Sequence, residues 1–224
     1  MNKKTIRFLT TLAAGIFFAA TAAKGVVLVT FDFSGEPGNQ QATFGTITGD
    51  NDNALANAVV DRGAGLTIPP AFVFGQNSID SSGWDTLGPD DYFSLRVTVN
   101  TGFQAVGGTL NLTTVSGDLG PRNLAIRYSA DNFASEIGTF VHDGGGSQVM
   151  DTYVLPFPTF EDVVEFRIFA TDNTSANGQT ILSEGRFRIQ EASFEVIVIP
   201  EPSTYAAIVG ALFLGLVLYR RRQK

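Results

Sequence analysis

Between Lys24 and Ile199 no stretch of ten or more residues places apolar side chains three and four apart, so the chain offers no amphipathic helix there. What it offers is alternation. In Tyr92–Asn100, Phe93, Leu95, Val97 and Val99 fall on one face and Tyr92, Ser94, Arg96 and Thr98 on the other. Val26–Phe33, Thr109–Val115, Leu124–Tyr128, Val163–Ala170 and Arg186–Ile199 read similarly as strands, and much of the chain's phenylalanine falls in these runs. Turn residues separate them: Gly107-Gly108, Gly117-Asp118, Asp143–Gly146 and Asn177-Gly178. Gly35–Asp91 is richer in Gly, Asn and Asp and predicts long loops with short strands. Strands with frequent turns and no helices predict a mainly β protein, a single antiparallel β-sandwich of jelly-roll-like form over residues 24–198. With no cysteine in the sequence, thiolate metal sites and cysteine nucleophiles are excluded.

The two ends have a different character. Lys3, Lys4 and Arg7 precede an apolar run, Phe8–Ala20, and small residues follow at Ala20–Ala23. This is the pattern of a secretory signal peptide, here residues 1–23, with an expected signal helix. At the other end, Tyr205–Tyr219 carries no charge, and Arg220, Arg221, Arg222 and Lys224 follow directly. An apolar segment with a basic flank predicts a short transmembrane helix over residues 204–219, its C-terminus on the cytoplasmic side. Pro200 and Pro202 predict that the helix begins just after them, with Ser203 as N-cap.

The order Pro200-Glu201-Pro202-Ser203, apolar helix, arginine cluster resembles a PEP-CTERM sorting signal over residues 199–224. That resemblance implies an exosortase as processing partner, with Pro200, Glu201 and Pro202 as recognition residues, in an exopolysaccharide-producing Gram-negative bacterium. A second likeness lies in the segments GPRNLAIRYSADNF (120–133), VEFRIFATDN (164–173) and GRFRIQEASFEV (185–196). They resemble the ectodomains of many PEP-CTERM proteins, whose sandwiches are jelly-roll-like. The last segment has Gln190-Glu191 where that pattern has Asp-Asn, at a strand beside which such folds often place calcium.

Eight basic and 21 acidic residues lie between Lys24 and Ile199, giving that part a net charge near −13. Such a surface repels nucleic acid and attracts divalent cations. Calcium needs six to eight oxygen ligands on turning chain, and Asp50, Asp52, Asp90 and Asp91 are the candidate ligands, with Asp131, Asn132, Asp172 and Asn173 as further donors. These are also the residues that loops use for turns. The single histidine, His142, reads as a loop-edge residue, and without a G-x-S-x-G elbow no serine triad is expected. Glu191 and Glu195 should share a strand face. Trp84, in SSGWDTLG, is either a sugar platform or a loop residue packed over one end of the sandwich, and Tyr92 and Tyr128 are placed on outer faces. The leading expectation is a non-enzymatic, exported envelope or extracellular-matrix protein, transiently anchored in the membrane and associated with exopolysaccharide. The alternatives are a secreted glycan-active enzyme using paired carboxylates and a calcium-dependent carbohydrate-binding module.

Overall fold

The computed structural model describes residues 25–49, 52–69, 77–155 and 161–222. The expected signal segment 1–23 and Asp50 lie outside the described residues. Besides three single-turn 3-10 helices, the described residues form thirteen strands and one α-helix, in order: β1 Gly25–Phe31, β2 Pro37–Gly38, β3 Ala42–Phe44, β4 Thr46–Gly49, β5 Leu55–Arg62, β6 Ser78–Ser81, β7 Tyr92–Val99, β8 Phe103–Ser116, β9 Asn123–Tyr128, β10 Glu136–Val141, β11 Gln148–Leu155, β12 Val163–Ala170, β13 Phe187–Pro200 and α1 Pro202–Arg222.

The strands form two sheets packed as a sandwich, so the mainly β expectation holds. The first sheet runs β11-β8-β13-β1-β4, with β6 beside the start of β13 and β2 beside β6. The second runs β10-β9-β12-β7-β5-β3. All pairings are antiparallel except the short β2–β6 contact.

Alternation sets the register of burial. In β1, Val27, Val29 and Phe31 are buried while Val26, Leu28 and Thr30 point outward. In β7, Phe93, Leu95, Val97 and Val99 are buried as the sequence predicts. The longer strands thus contribute apolar rows to the inter-sheet core. Phe166 of β12 meets Phe194 of β13 across the layers, ring centroids 5.2 Å apart. At one end Phe187 is the hub: its ring lies 5.5 Å from Trp84, 5.9 Å from Phe93, 6.2 Å from Phe140 and 5.8 Å from His142.

Two readings are corrected. Gly107-Gly108 makes no turn; it lies inside the 14-residue β8, where pairing with β13 shifts register between Val196 and Val198. Gly107 has φ 152°, and a Cβ on Gly108 would stand 2.0 Å from the Glu195 carbonyl oxygen. The pair permits a bulge and a close strand approach. The helix also starts earlier than expected. Pro202 occupies its first position, where a missing N–H costs nothing, so Ser203 lies within the first turn and is no N-cap.

α1 runs 21 residues and makes no substantial packing with either sheet. Its side chains are described from Ala207 to Arg221, and Ile208, Leu212, Phe213, Leu214, Val217 and Leu218 are all exposed. No helix among the described residues is long and apolar enough to cross a membrane. The expected transmembrane segment is thus found as a helix, with longer bounds than 204–219, and not as an established span.

Because Phe187 joins aromatic groups from both sheets, Phe187→Ala should remove about 3–5 kcal/mol of stability. Denaturant unfolding of the full chain in detergent checks this; a loss under ~1 kcal/mol would contradict the hub role.

Candidate functional site: a polar groove across the first sheet

A groove of about 950 Å³ crosses the outward face of the first sheet. Its floor is set by register. Thr152 of β11 pairs with Asn111 of β8, Asn111 with Ser193 of β13, Ser193 with Thr30 of β1, and Thr30 with Thr46 of β4. Directly paired residues share a face, so five strands present one continuous row of hydroxyls and an amide. Four inter-strand spacings of about 4.8 Å make that row roughly 19 Å long. The Thr152 hydroxyl donates to Asn111 Oδ1 at 2.7 Å, and Asn111 Nδ2 donates to Ser193 Oγ at 3.3 Å. These bonds fix the Asn111 amide across the strands and leave further lone pairs and a second N–H on the row.

A second row stands beside the first. Met150, Thr113 and Glu191 are in register, and Thr113 Oγ1 donates to Glu191 Oε2 at 2.9 Å. Met150 is 72% exposed and gives this side an apolar contact. Asp32 and Asn77 stand at the far wall. The Ser34 N–H donates to Asp32 Oδ1 at 2.8 Å, and the Gly35 N–H donates to Asn77 Oδ1 at 2.9 Å. The Ser34 bond holds the Asp32 carboxyl below its ordinary value. No lysine or arginine lines the groove among the described residues. Its polar lining is hydroxyls, amides and the carboxylates of Asp32, Asp151 and Glu191, which disfavours an anionic ligand.

A buried polar knot lies at the Phe187 end. Arg62, buried on β5, donates from Nε to the Asp80 carbonyl at 2.5 Å, from Nη1 to the Gln40 carbonyl at 2.5 Å and from Nη2 to the Gly38 carbonyl at 2.9 Å. It thereby ties the second sheet to the β2–β3 loop and β6. Burial lowers its pKa to about 10, still charged at neutral pH. The Asp80 carboxylate is 1% exposed; Oδ2 meets Arg186 Nη1 at 3.3 Å and Oδ1 has no hydrogen-bond partner. Burial raises Asp80 to about 6, against the opposing charges of Arg186 and Arg188. The first-sheet groove does not reach Asp80, and the knot ties β2, β5 and β6 together.

The expected site residues fall as follows. Trp84 is fully buried, its Nε1 donating to Ser81 Oγ at 2.9 Å, so it packs the sandwich end and is no sugar platform. Tyr128 pairs with buried Phe166 and faces the core side, correcting its outer-face placement. Tyr92 does face outward, but the Arg167 guanidinium covers its ring at 4.0 Å and is itself stacked on Phe133 at 3.9 Å. His142 is corrected from loop edge to interior: it is 0% exposed, its Nε2 is 3.2 Å from Thr114 Oγ1, and burial lowers its pKa. Glu191 and Glu195 share the outward face as expected, and only Glu191 lines the groove.

The calcium candidates do not converge. Asp52 precedes β5, whereas Asp90 and Asp91 sit beside Gly63–Gly65 past its other end. The eight residues of β5 separate them, about 26 Å at about 3.3 Å per residue. Asp91 is buried and accepts from the Thr86 hydroxyl and the Gly88 N–H, closing its own turn. Asp131 accepts from the Ala134 and Ser135 N–H groups, and Asp172 from the Thr174 N–H and Asn123 Nδ2. Among the described residues no group of three or more His, Asp or Glu side chains is placed to hold a metal ion.

In the Pro200–Ser203 segment, Pro200 pairs with Phe103 at the end of β13, and Glu201 bonds to Gly102. Pro202 and Ser203 begin α1, and Arg220 and Arg221 near its end are exposed; Arg222 closes it.

No protein-family model matches the chain. No curated protein matches it. Among solved structures it is similar to a family 29 carbohydrate binding module, at 16% identity over 76% of this chain and 88% of that one, TM-score 0.38. A mutant of CBM29-2 complexed with mannohexaose gives 16% identity over 75% and 90%, TM-score 0.37. The K3 cleaved adhesin domain of Lys-gingipain from Porphyromonas gingivalis gives 19% identity over 56% and 79%, TM-score 0.35. Similarity at this level says nothing about what this chain binds.

The knot sets a pH dependence. Asp80 has a folded pKa near 6 against an ordinary 3.8, so between those values the folded state holds a proton that the unfolded state has lost. Its burden on stability is therefore full above pH 6 and is relieved as pH falls through 6, by roughly 3 kcal/mol in all. His142 acts oppositely, because the unfolded ring protonates below about 6.5 while the buried ring resists. Comparing Tm of wild type and Asp80→Asn from pH 7.5 to 4.5 isolates the first effect. Wild type should gain on Asp80→Asn as pH falls; parallel curves would contradict the assignment.

Proposed function

We propose that this chain is an exported envelope or extracellular-matrix protein, tethered by α1, whose sandwich holds an uncharged polysaccharide strand in the groove of the first sheet without cleaving it. The observation that carries this reading is the register-built row Thr152–Asn111–Ser193–Thr30–Thr46. Sugars present alternating donors and acceptors, and a rigid row of hydroxyls and an amide offers complementary ones without flexible side chains to order. Carboxylates at Asp32 and Glu191 accept from sugar hydroxyls and repel polyanions. We read the two-sheet arrangement as jelly-roll-like.

A non-catalytic role is supported by the same residues. Glycoside hydrolysis needs one carboxylic acid held protonated beside a second carboxylate. Among the described residues the carboxylates that burial raises are Asp61 and Asp80, both outside the groove, while Glu191 is occupied by Thr113.

Export and tethering rest on the ends of the chain. The leader of residues 1–23 has the charge and apolar pattern of a signal peptide. The uncharged stretch Tyr205–Tyr219 rises about 22 Å at about 1.5 Å per residue, less than the ~30 Å of a hydrocarbon core, so the tether proposed here needs a locally thinned bilayer. The exposure of Ile208, Leu212, Phe213, Leu214, Val217 and Leu218 favours a lipid environment, and Arg220–Arg222 would anchor the end of the helix in the cytoplasm. The Pro200-Glu201-Pro202-Ser203 segment ahead of it would be the point of exosortase processing.

The full chain in lipid nanodiscs should bind neutral polysaccharides in affinity electrophoresis or calorimetry, and bind acidic ones more weakly. Asn111→Ala should raise Kd about five- to tenfold with little change in Tm. Binding that is indifferent to Asn111, or strongest for a polyanion, would sink the proposal. Release of reducing ends during the assay would point instead to paired-carboxylate hydrolysis.

A further inference from the structure

The sandwich does not end in a loose linker before α1. β13 stays in register with β8 to its last residue: Val198 pairs with Ala105, Ile199 with Gln104 and Pro200 with Phe103. The next residue is clasped twice to the β7–β8 turn. The Glu201 N–H donates to the Gly102 carbonyl at 2.9 Å, and the Gly102 N–H donates to Glu201 Oε1 at 3.1 Å. Pro202 then starts the helix. The turn is itself fixed: the Phe103 N–H donates to the Asn100 carbonyl at 3.2 Å, the Asn100 N–H to the Ala54 carbonyl at 2.8 Å, and Asn100 Nδ2 to the Asn53 carbonyl at 2.8 Å. Gly102 has φ 91°, a conformation that glycine takes without strain.

We infer that the folded sandwich shields the chain through Glu201, so that a peptidase separating the domain from α1 cuts beyond Glu201 unless the end of β13 opens. Endopeptidases take their substrates as extended, unpaired chain, and a residue inside a ladder is reached only by local opening. Residues up to Pro200 are ladder-bound, and Glu201 offers neither its N–H nor its carboxylate without breaking the clasp. Hydrolysis beyond Glu201 adds water across one peptide bond, leaving a carboxylate on the domain and an amine on the helix fragment, with every bond of β13 intact. A cut before Pro200 would strip paired residues from the central strand of the first sheet. The inference rests on the reading that the C-terminus is processed, and it also limits that reading: the glutamate of the Pro-Glu-Pro segment reaches an enzyme only after the clasp releases.

The test uses the full chain in detergent micelles, digested with a broad-specificity serine endopeptidase and followed by intact mass. The earliest cut that separates α1 should fall after Glu201. Glu201→Ala removes the side-chain half of the clasp; cuts should then appear before Pro200, and the Gly102 amide should exchange about tenfold faster. Early cutting before Pro200 in wild type, or a Glu201→Ala variant identical to it in both readouts, would overturn the clasp. The protein isolated from producing cells should, if shortened, end at or beyond Glu201. A cell-derived chain that is never shortened would overturn the processing reading, while a cut before Pro200 would overturn the clasp itself.

Discussion

The packing of Phe187 is the contact on which the rest of the molecule depends. Its ring is fully buried at the start of β13 and meets Trp84, Phe93, Phe140 and His142. Phe93 and Phe140 come from the second sheet, so one side chain sets the distance between the layers at that end. β13 then carries this placement through the first sheet, pairing with β6, β8 and β1. A register shift between Ile189 and Glu191 reverses the parity of β13, so Glu191 and Ser193 face outward although Phe187 and Ile189 before them, like Ala192 and Phe194, are buried.

Polar groups at that end are handled by enclosure. Arg62 spends its guanidinium on three backbone carbonyls, and Asp80 is held beside Arg186 at the expense of a raised pKa. A buried charge of this kind adds little net stability, but removing one partner leaves the other exposed to the full desolvation penalty. The outer face of the second sheet resolves its charges differently. Arg167 lies between the rings of Tyr92 and Phe133, with its Nε 2.6 Å from Glu165 Oε1. On that face side chains cover the Tyr92 ring, whereas the first sheet leaves a long groove.

Much of the fold was legible in the sequence. The runs around Val26, Tyr92, Leu124, Val163 and Arg186 became β1, β7, β9, β12 and β13, because alternating burial writes itself directly into residue order. β5 was less visible, since Leu55–Arg62 includes Asn57, Ala58 and Asp61 and lacks a sustained alternation. Gly107-Gly108 misled because two adjacent glycines serve a bulge as well as a turn. The groove was not legible at all. Thr30, Asn111, Thr152 and Ser193 are ordinary strand residues in sequence and become a row only through the registers of five strands. Trp84, Asp91, Asp131 and Asp172 show the converse: their residue types suit ligands, while their positions serve core and turns.

The central claim is that the outward face of the first sheet is a glycan surface. Hydrogen–deuterium exchange of the full chain in nanodiscs, with and without a neutral polysaccharide, tests it most directly. The account predicts added protection in β8 around Asn111, β11 around Thr152 and β13 around Ser193, with β7 and β12 unchanged. Protection confined to the second sheet, or none at saturating polysaccharide, would contradict it.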